Sequence, residues 1–464
     1  MFIFILLLTD TLFFYLALFA GLATRAYPDA VSYELVQQHF LPFSIVFAFW
    51  LLTFGAFGLY DRRFLKNEKV FLERLLRAMI ANGIVAALVF YFVPVFSIAP
   101  RRNLIAIAVF AFLFLAGWRW VFNRRITMGD RERILFLGAT PEAVTLTDYI
   151  RMNPQLGVDV IGFVAVENGT PPPAPLPVYT LRSLPHIVRD MRINTVVIGH
   201  KEKQDADIVR TLFAAIPLGI GVTDFSAFHE RLTGKIPLSR ISEVWFLENL
   251  IGKHKPRYDA KKRLLDLALA VIVGCIALIF FPVIALAIIA STPGDILGYH
   301  LRRARPGDGL IFFRQRRVGK DGRVFDFIKF RSQRLGAERM GEAKEMADDP
   351  RHYPVGRMLR ALYLDELPQI VNVLKGEMSF VGPRPERPEY VEELKKRVPF
   401  YDIRLLVKPG ITGWAQINME NDASVEDAPE KMQYDLYYIK NRSVGLDLLI
   451  ILRTLFAVLQ RHGR

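Results

Sequence analysis

The sequence predicts three parts: a membrane α-helical domain of four spans, a Rossmann-like α/β module, and a mixed α/β domain that begins with a re-entrant membrane helix. Hydrophobic residues make up 52% of the 464 residues, too many for an ordinary soluble protein, and the mean hydropathy is +0.24. Short apolar runs alternate with polar stretches in the middle of the chain, and a later apolar segment is interrupted by proline. The predicted boundaries are 1–125, 130–250 and 258–464.

Four apolar segments predict the membrane domain. Each is about as long as the roughly 20 residues that a helix needs to cross the hydrocarbon core. They are Phe2 to Ala20, Phe40 to Leu59, Leu75 to Phe96 and Leu104 to Phe122. The first segment has no basic residues before it and contains Asp10, so we expect a retained span and not a cleaved signal peptide.

Basic residues in short loops predict the orientation of these spans. The connection between the second and third spans contains Arg62, Arg63, Lys66, Lys69, Arg74 and Arg77. The positive-inside rule places this loop in the cytoplasm, although Arg101 and Arg102 oppose it. With an even number of spans, everything after about residue 123 is then also cytoplasmic.

The middle segment changes to a strand-and-helix pattern. Short apolar runs at Ile134–Leu137, Val158–Ala165, Thr195–Gly199 and Gly219–Asp224 alternate with helix-like stretches, which predicts a parallel sheet of Rossmann type. The first turn reads Gly138-Ala139-Thr140-Pro141-Glu142-Ala143 and lacks the later glycines that let the backbone approach a pyrophosphate. We therefore favour a regulatory or assembly module, with a working dinucleotide site as the alternative.

The apolar segment that follows is interrupted at Pro282. As one helix, Leu264–Ile289 would be about 39 Å long, enough to span a bilayer. Proline should kink it, and both flanks are basic, so both ends favour an anionic leaflet by about 1 kcal/mol per charge. We predict a re-entrant helix at 264–290 that enters and leaves on the cytoplasmic face, and a kinked fifth span is the alternative. The flanking basic residues are Lys261, Lys262 and Arg263 before it and Arg302, Arg303 and Arg305 after it.

The last third of the chain contains short charged and glycine–proline patterns. In order they are Lys329-Phe330-Arg331-Ser332, Asp349-Pro350-Arg351, Gly356-Arg357, Arg360, Leu364-Asp365-Glu366-Leu367-Pro368-Gln369, Gly382-Pro383-Arg384-Pro385, and Lys408 to Gln416. Any one of them is typical of a solvated helix or loop. In this order, and after an interrupted apolar helix, they resemble the bacterial sugar transferase family, the monotopic polyprenyl phosphate phosphoglycosyl transferases. The resemblance covers about residue 258 to the end, and the preceding parts are more loosely similar to the large-form members.

The resemblance implies an activity. Such enzymes move a phosphosugar from a nucleotide sugar, with uridine the expected base, to undecaprenyl phosphate, and so initiate exopolysaccharide or related surface glycan synthesis. Asp365 matches the family nucleophile, which forms a covalent aspartyl phosphosugar. Glu366 would hold Mg²⁺, a hard cation that prefers carboxylate and phosphate oxygens, and Arg360 would neutralise phosphate oxygens. A carboxylate needs such neutralisation before it can attack an anionic diphosphate.

The resemblance also implies substrate-binding and membrane residues. Arg384, between two prolines, is expected near the phosphates or nucleotide, and the glycine turn after Lys408 at the nucleotide sugar pocket, unless both only shape loops. The substrate-binding set is Lys329, Arg331, Arg351, Arg357, Pro383, Arg384, Pro385, Lys408, Gly410, Thr412 and Gln416. The residues matching the membrane hairpin are Lys262, Arg263, Asp266 and Pro282.

Net charge and the resemblance together define the expected partners and location. The net charge of +14 fits an anionic partner, and because the basic clusters adjoin apolar segments, we expect lipid and not nucleic acid. The family is found in the bacterial inner membrane with its catalytic domain in the cytoplasm, and a homodimer is plausible. The alternatives are a glycosyl transferase that releases nucleoside diphosphate and a catalytically silent scaffold or regulator of a polysaccharide assembly complex. The lone Cys275 excludes an intrachain disulfide.

Overall fold

A computed structural model of the chain describes residues 2–66, 68–92, 101–129, 131–166, 176–199, 202–241, 243–250, 255–293, 309–337, 351–419 and 426–460. Its contacts divide the chain into two units, Met1–Thr233 and Gly234–Arg464. The boundary differs from the predicted one at residue 250, because Ile236, Ile241 and Phe246 pack in a core of the second unit.

Four long helices form the first part of the first unit: α1 (Phe2–Ala26), α2 (Tyr33–Ala56), α3 (Lys69–Phe92) and α4 (Arg101–Met128). Each predicted span corresponds to one of them, although the predicted end of the third, Phe96, lies outside the described residues. In the part of the chain that the structure describes, five helices are long and apolar enough to cross a membrane, these four and a later one. The chain is therefore a membrane protein by the composition of its helices.

The described interior of the four helices is aromatic and contains a buried ion pair. Phe14 packs against Trp50 and Phe54, with ring centroids 5.2 and 5.5 Å away. Asp10 on α1 and Arg119 on α4 are both fully buried and lie 2.5 Å apart. Arg119 also donates to the carbonyl of Leu59, 2.8 Å away. The ion pair therefore connects α1, α4 and the turn after α2.

The α/β module confirms the predicted parallel sheet. Its strands are β1 (Glu132–Leu137), β2 (Val158–Ala165), β3 (Val178–Thr180), β4 (Thr195–Ile198) and β5 (Gly221–Asp224), in the order β3-β2-β1-β4-β5. All four pairings are parallel. Its helices are α5 (Pro141–Met152), α6 (Leu184–Asp190), α7 (Ala206–Ala215) and α8 (Phe225–Thr233).

Side-chain alternation along β1 explains the helices on both faces of this sheet. Ile134 and Phe136 belong to one buried cluster, whereas Leu135 and Leu137 belong to another. Successive side chains of a strand point to opposite faces, so a strand apolar at every position needs cover on both.

The basic loop between α2 and α3 contacts the module. Arg62 donates to the carbonyl of Leu156 at 3.3 Å, and Arg63 to that of Thr233 at 2.9 Å. Gln155 donates in return to the carbonyl of Arg63 at 3.0 Å. The loop and the module therefore lie on the same side of the four helices, as the even number of predicted spans requires.

The second unit combines helices with two small sheets. Its helices are α9 (Glu243–Asn249), α10 (Pro256–Ser291), α11 (Pro354–Ala361), α12 (Ile370–Lys375), α13 (Pro388–Arg397), α14 (Trp414–Asn418), α15 (Ala428–Asn441) and α16 (Val444–Gln460). Strands β6 (Phe312–Val318) and β7 (Val324–Phe330) form an antiparallel hairpin, and β8 (Ser379–Val381) pairs in parallel with β9 (Gly410–Thr412).

Helix α10 contains the predicted re-entrant segment and runs without interruption through Pro282. Ala270, before the proline, packs in a cluster with Phe325 and Phe327 of β7, and Ile284 and Ile288, after it, pack with Phe330 at the end of the same strand. Both halves therefore pack along one α/β body. The basic residues predicted to follow the helix, Arg302, Arg303 and Arg305, lie outside the described residues.

The other face of α10 is apolar and exposed. Its exposed side chains include Leu264, Ile272, Leu278, Ile279 and Leu286, each at least 58% accessible. An apolar face of this length is typical of a helix in contact with lipid.

Candidate active site

Two adjacent carboxylates lie on a tight 3₁₀ turn, Leu364–Gln369, between α11 and α12. Tyr363, immediately before the turn, adopts the left-handed conformation with φ of 55°, which is uncommon for a residue other than glycine. Such strained residues are concentrated at functional sites. The Asp365 residue is 6% exposed and therefore buried.

Two cations from distant parts of the sequence converge on this turn. Lys329, on β7, places its Nζ 2.6 Å from Glu366 Oε1 and 4.0 Å from Asp365 Oδ2. Arg384 donates from Nη2 to the same Glu366 oxygen at 3.2 Å. Glu366 therefore accepts from both cations, whereas Asp365 lies farther from Lys329.

The two carboxyl groups differ in their protonation equilibria. Burial raises the pKa of Asp365 above its ordinary range, and the negative charge of Glu366 adds to this although Lys329 opposes it. Burial would also raise the pKa of Glu366, but Lys329 and Arg384 together lower that pKa to about 2. Glu366 therefore remains ionised at neutral pH, while Asp365 is the more basic carboxylate of the pair.

Four consecutive backbone carbonyls fix the turn that carries Arg384. The carbonyl of Pro383 accepts from Gly410 N and that of Glu386 from Val318 N, both at 2.9 Å. The two between them accept from guanidinium groups: the Arg384 carbonyl from the buried Arg404 at 2.8 Å, and the Pro385 carbonyl from the half-buried Arg317 at 2.9 Å. Because each carbonyl has a donor, the backbone beneath Arg384 is held in one conformation.

Acidic residues hold these guanidinium groups in turn. Arg404, 5% exposed, pairs with Asp435 at 3.0 Å, and Arg317 lies 3.6 Å from Glu386. Lys431 also reaches Glu386, at 2.8 Å. Although burial opposes it, Lys431 and Arg404 lower the pKa of Glu386, so Glu386 stays ionised at neutral pH.

Arg360 lies beside the turn and is oriented by a histidine. Its Nη1 is 2.6 Å from His352 Nε2, and His352 Nδ1 is 3.0 Å from the carbonyl of Ser332. A carbonyl can only accept, so Nδ1 carries the proton and Nε2 accepts from Arg360. The positive charge of Arg360 acts on Asp365 and lowers its pKa. Close packing requires glycine at 356, since a Cβ there would overlap the carbonyl of Ser332.

Other predicted substrate-binding residues lie at other places in this unit. Arg331 is buried and donates to Thr292 Oγ1 at 2.7 Å and to the carbonyl of Leu310 at 3.0 Å, so it ties the end of α10 to the hairpin. Thr412 hydrogen-bonds Thr454 of α16 at 2.6 Å. The structure therefore groups Lys329, Arg360 and Arg384 with the carboxylates, and gives these two residues contacts elsewhere.

The remaining predicted residues belong to neighbouring loops. The carbonyl of Arg351 accepts from Arg334 N at 2.9 Å, and Arg357 is exposed on α11. Gln416 donates to the carbonyl of Ile411 at 3.3 Å. Pro383 and Pro385 line a small pocket with Arg384, Tyr401 and Arg404.

The side chain of Lys408 points toward Arg263 of α10. A Cβ placed at Gly376 would lie 3.4 Å from Lys408 Nζ and 3.7 Å from Arg263 Nη2. Of the predicted hairpin residues, Asp266 is buried and accepts from Ser379 Oγ at 2.9 Å, and Lys262 reaches Asp447 at 3.1 Å.

Sequence reasoning missed three residues that support the site: Arg317, Arg404 and His352. Each acts through a contact with a residue that belongs to a recognisable pattern. No periodicity or motif marks them. A prediction that Arg404 is buried would have drawn attention to it, because arginine is almost never fully buried unless it is paired.

The carboxylate pair fits the donor chemistry of Mg²⁺. This ion usually keeps several waters and is bound through one or two carboxylates and substrate phosphates. Asp365 and Glu366 provide hard oxygen donors of this kind. Within the described ranges, no group of three or more His, Cys, Asp or Glu residues could hold a metal ion, so any ion here would depend on substrate and water for its remaining ligands.

The turn after β1 in the α/β module is occupied by a side chain. Gly138 has φ of 86°, and a Cβ there would lie 3.4 Å from Glu202 Oε1. The other carboxylate oxygen of Glu202 lies against Gly199, at the end of β4. An acidic group thus occupies the crevice between β1 and β4, where the strand order of the sheet reverses.

Two family models match the chain. Residues 257–461 match the bacterial sugar transferase family, and residues 55–200 match a CoA-binding domain family. The described residues of the module do not fit the diphosphate of CoA, because the Glu202 carboxylate lies where backbone N–H groups would have to meet it.

Named relatives share extensive similarity with this chain. The UDP-N-acetylgalactosamine-undecaprenyl-phosphate N-acetylgalactosaminephosphotransferase of Aeromonas hydrophila is 35% identical over 55% of this chain and 55% of its own length. The UDP-glucose:undecaprenyl-phosphate glucose-1-phosphate transferase of Klebsiella pneumoniae is 31% identical over 72% and 69%. The exopolysaccharide production protein ExoY of Sinorhizobium fredii is 32% identical over 47% of this chain and 95% of its own length. The chain thus spans about half the length of the first of these relatives.

Proposed function

Because this chain belongs to the bacterial sugar transferase family, we propose that it transfers a phosphosugar from a nucleotide sugar to a polyprenyl phosphate. The observation that carries this proposal is the environment of Asp365. It is a buried carboxylate with a raised pKa, next to an ionised Glu366 and close to three cations. This combination suits a nucleophile that attacks an anionic phosphate.

The reaction has two displacements. First, a carboxylate oxygen of Asp365 bonds to the phosphorus that carries the sugar, and the phosphoanhydride bond breaks. The nucleoside monophosphate leaves with the electron pair of that bond. An oxygen of polyprenyl phosphate then attacks the same phosphorus, the bond to Asp365 breaks, and the free carboxylate returns. Product release between the two steps predicts ping-pong kinetics.

The neighbouring groups reduce charge repulsion during both steps. Arg384 and Lys329 lie on the side of Glu366, and Arg360 acts on Asp365 itself. Guanidinium groups can bind phosphate oxygens through two hydrogen bonds, which fixes orientation as well as charge. Bound Mg²⁺, held by Glu366, would supply further neutralisation of the diphosphate. Because the turn that carries Arg384 is fixed, the guanidinium of Arg384 is already positioned before the substrate binds.

The names of the relatives support the substrate classes. Those from A. hydrophila and K. pneumoniae are named for a UDP-sugar and undecaprenyl phosphate. We therefore propose a UDP-sugar as donor and undecaprenyl phosphate as acceptor, and initiation of an exopolysaccharide or related surface glycan as the biological role.

The contacts of α10 support a re-entrant position in the inner membrane. Arg263, near its start, donates to the carbonyl of Val373 at 2.6 Å, and Thr292, just past its end, accepts from Arg331 at 2.7 Å. A helix crossing the bilayer would carry its two ends to opposite sides. Since both ends contact one α/β body, we propose that the helix is immersed by its apolar face and that the catalytic unit lies in the cytoplasm.

Product analysis tests the proposed activity. The purified full-length chain is incubated with undecaprenyl phosphate, Mg²⁺ and each of a panel of UDP-sugars. Release of uridine monophosphate is expected with at least one donor. Release of uridine diphosphate would identify a sugar transferase of a different mechanism. Absence of any product across the panel would favour a silent scaffold. Asp321→Asn serves as the matched control, because it removes an exposed carboxylate from a left-handed position that asparagine tolerates.

A further inference from the structure

The α/β module has a crevice at the carboxyl ends of β1 and β4, and one of its own side chains occupies it. In open parallel sheets, ligands bind in the crevice where the strand order reverses, which here lies between β1 and β4. The Glu202 carboxylate lies at this place. Its Oε1 is 3.4 Å from the position that a Cβ of Gly138 would take, and its Oε2 lies against Gly199 and is enclosed by protein atoms.

Two glycines let this carboxylate approach the backbone. Gly138, directly after β1, has φ of 86°, a conformation that favours glycine by itself. Gly199, directly after β4, does not have a left-handed φ, but a Cβ there would overlap Glu202 Oε2. The absence of a side chain at 199 is therefore explained by the position of Glu202 and not by the local backbone.

A short 3₁₀ turn, Glu202–Gln204, holds the side chain in the crevice. Lys203 N donates to the carbonyl of Gly199 at 3.3 Å, and Lys203 Nζ pairs with Asp224 at the end of β5 at 2.7 Å. Asp205, directly after the turn, caps the N-terminus of α7. The turn is therefore attached to β4, β5 and α7, which fixes the direction in which Glu202 points.

Backbone donors at the start of α5 are already engaged. A diphosphate in this crevice needs N–H groups from the turn after β1 and from the first turn of the helix. Gly138 N donates to the carbonyl of Val164 at 2.8 Å, and Ala143 N donates to Thr140 Oγ1 at 3.4 Å. Pro141, the first residue of α5, has no N–H. These three positions therefore offer no free donor to a phosphate.

We propose that the α/β module is closed to CoA and to dinucleotides, because the Glu202 carboxylate occupies the place of their diphosphate. The match of residues 55–200 to a CoA-binding domain family raises CoA as a ligand of this module. An anionic diphosphate would have to displace a carboxylate that the 3₁₀ turn holds in place, and like charges at one position repel. The crevice instead provides an internal contact between β1 and β4, which favours an assembly role over a working dinucleotide site. The proposal does not rest on transferase activity.

Hydrogen exchange of the full-length chain in detergent, read by mass spectrometry of its peptides, tests the position of Glu202. Gly199→Ala should raise the exchange rates of the β1 and β4 peptides about tenfold, because the new Cβ would displace the carboxylate and loosen the strands beside it. In a Glu202→Ala background the same substitution should change these rates little, since the displaced group is absent. Gly221→Ala on β5 is the matched control, because the nearest neighbours of its Cβ would lie at 3.6 Å. An equal effect of Gly199→Ala in both backgrounds would overturn the proposal.

The same measurement tests whether the crevice is closed. CoA or NAD at millimolar concentration should leave the exchange of the peptides that contain Gly138 and Gly199 unchanged. A cofactor bound in the crevice would slow exchange of these peptides, and that result would also overturn the proposal. Protection confined to peptides of the second unit would place the cofactor outside the module and would support its closure.

Discussion

Two of the places where the described residues bury an acidic group are built differently. Among the N-terminal helices, Asp10 pairs with Arg119, and both are fully enclosed. On the turn of the second unit, Asp365 and Glu366 are adjacent, and their partners stay accessible: the side chains of Lys329 and Arg384 are 20% and 31% exposed. The first arrangement pairs one anion with one cation away from solvent. The second places two like charges together beside cations that can still reach a ligand.

This difference separates a structural ion pair from a reactive site. An enclosed, balanced pair offers no atom to a substrate, and it holds helices in register because separating the charges would be costly. On the turn, burial and then the adjacent charge of Glu366 raise the pKa of Asp365, which creates a basic carboxylate. Burial of a charged group is therefore weak evidence for catalysis by itself. The informative features are the two adjacent like charges and the accessibility of the cations that neutralise them.

The largest expected effect distinguishes the two aspartates by activity. Asp365→Asn should reduce release of nucleoside monophosphate by at least about a thousandfold, since an amide cannot replace the carboxylate nucleophile. Its melting temperature should change little. Asp10→Asn should retain turnover per folded molecule, because Asp10 contacts no reacting group. Near-normal turnover by Asp365→Asn would refute the assigned chemistry.

The second expected effect concerns the enclosed pair. Asp10→Asn leaves Arg119 buried without its counter-ion and should lower the free energy of unfolding by about 3–5 kcal/mol. The double substitution Asp10→Leu with Arg119→Met removes both charges and should cost much less than the sum of the single changes. Thermal unfolding in detergent measures these differences. Additive losses would show that the pair does not act as a unit.

A third effect tests whether Arg404 acts through Arg384. Arg404→Lys removes donors from the carbonyl beneath Arg384 and should reduce kcat/KM about tenfold, mainly through kcat, because misplacing one oriented charge weakens transition-state binding. Combined with Arg384→Lys, it should add little further loss. This non-additivity is the diagnostic measurement, since a general loss of folding would add to any other change. Full additivity would assign Arg404 a purely structural role.

The smallest effect is a shift in pH dependence. Turnover requires ionised Asp365, so kcat/KM should fall as pH falls through its raised pKa, above the ordinary aspartate value of about 3.9. Lys329→Gln removes a charge that lowers this pKa, and the acidic limb should move to higher pH. Glu366→Gln removes a charge that raises it, and the limb of the residual activity should move to lower pH. Lys396→Gln, which removes an exposed lysine on α13, is the control. Shifts in the opposite directions would show that the acidic limb of the pH profile does not report the ionisation of Asp365.

The sequence predicts the long-range architecture better than the support of the site. Hydropathy located the four helices, and apolar runs without alternation located the strands of the parallel sheet, because both signals are local. The family resemblance grouped Lys329, Glu366 and Arg384. In the structure Lys329 and Arg384 lie within 3.2 Å of the same carboxylate oxygen of Glu366. Local patterns contain no comparable signal for Arg317 and Arg404, whose partners lie 68 and 20 residues away.

Two features of the structure lie beyond what local sequence patterns specify. The sequence predicts a kink at Pro282, and α10 continues past it while one face of the helix packs on the catalytic unit on both sides of the proline. Such packing can maintain a helix past the hydrogen bond that proline cannot donate. Lys408 begins a glycine turn by sequence, and its Nζ and the Arg263 guanidinium both lie within 4 Å of the position that a Cβ of Gly376 would take, a proximity that a backbone pattern does not specify.

Trapping of the covalent intermediate tests the central claim most directly. The full-length chain is mixed with its UDP-sugar donor without acceptor, quenched in acid, digested and examined by mass spectrometry. The peptide that contains Asp365 should gain the mass of one phosphosugar, and the adduct should disappear when undecaprenyl phosphate is added before quenching. Asp365→Asn should give no adduct. If the unaltered enzyme turns over and its donor-treated peptide never carries this mass, Asp365 is not the nucleophile.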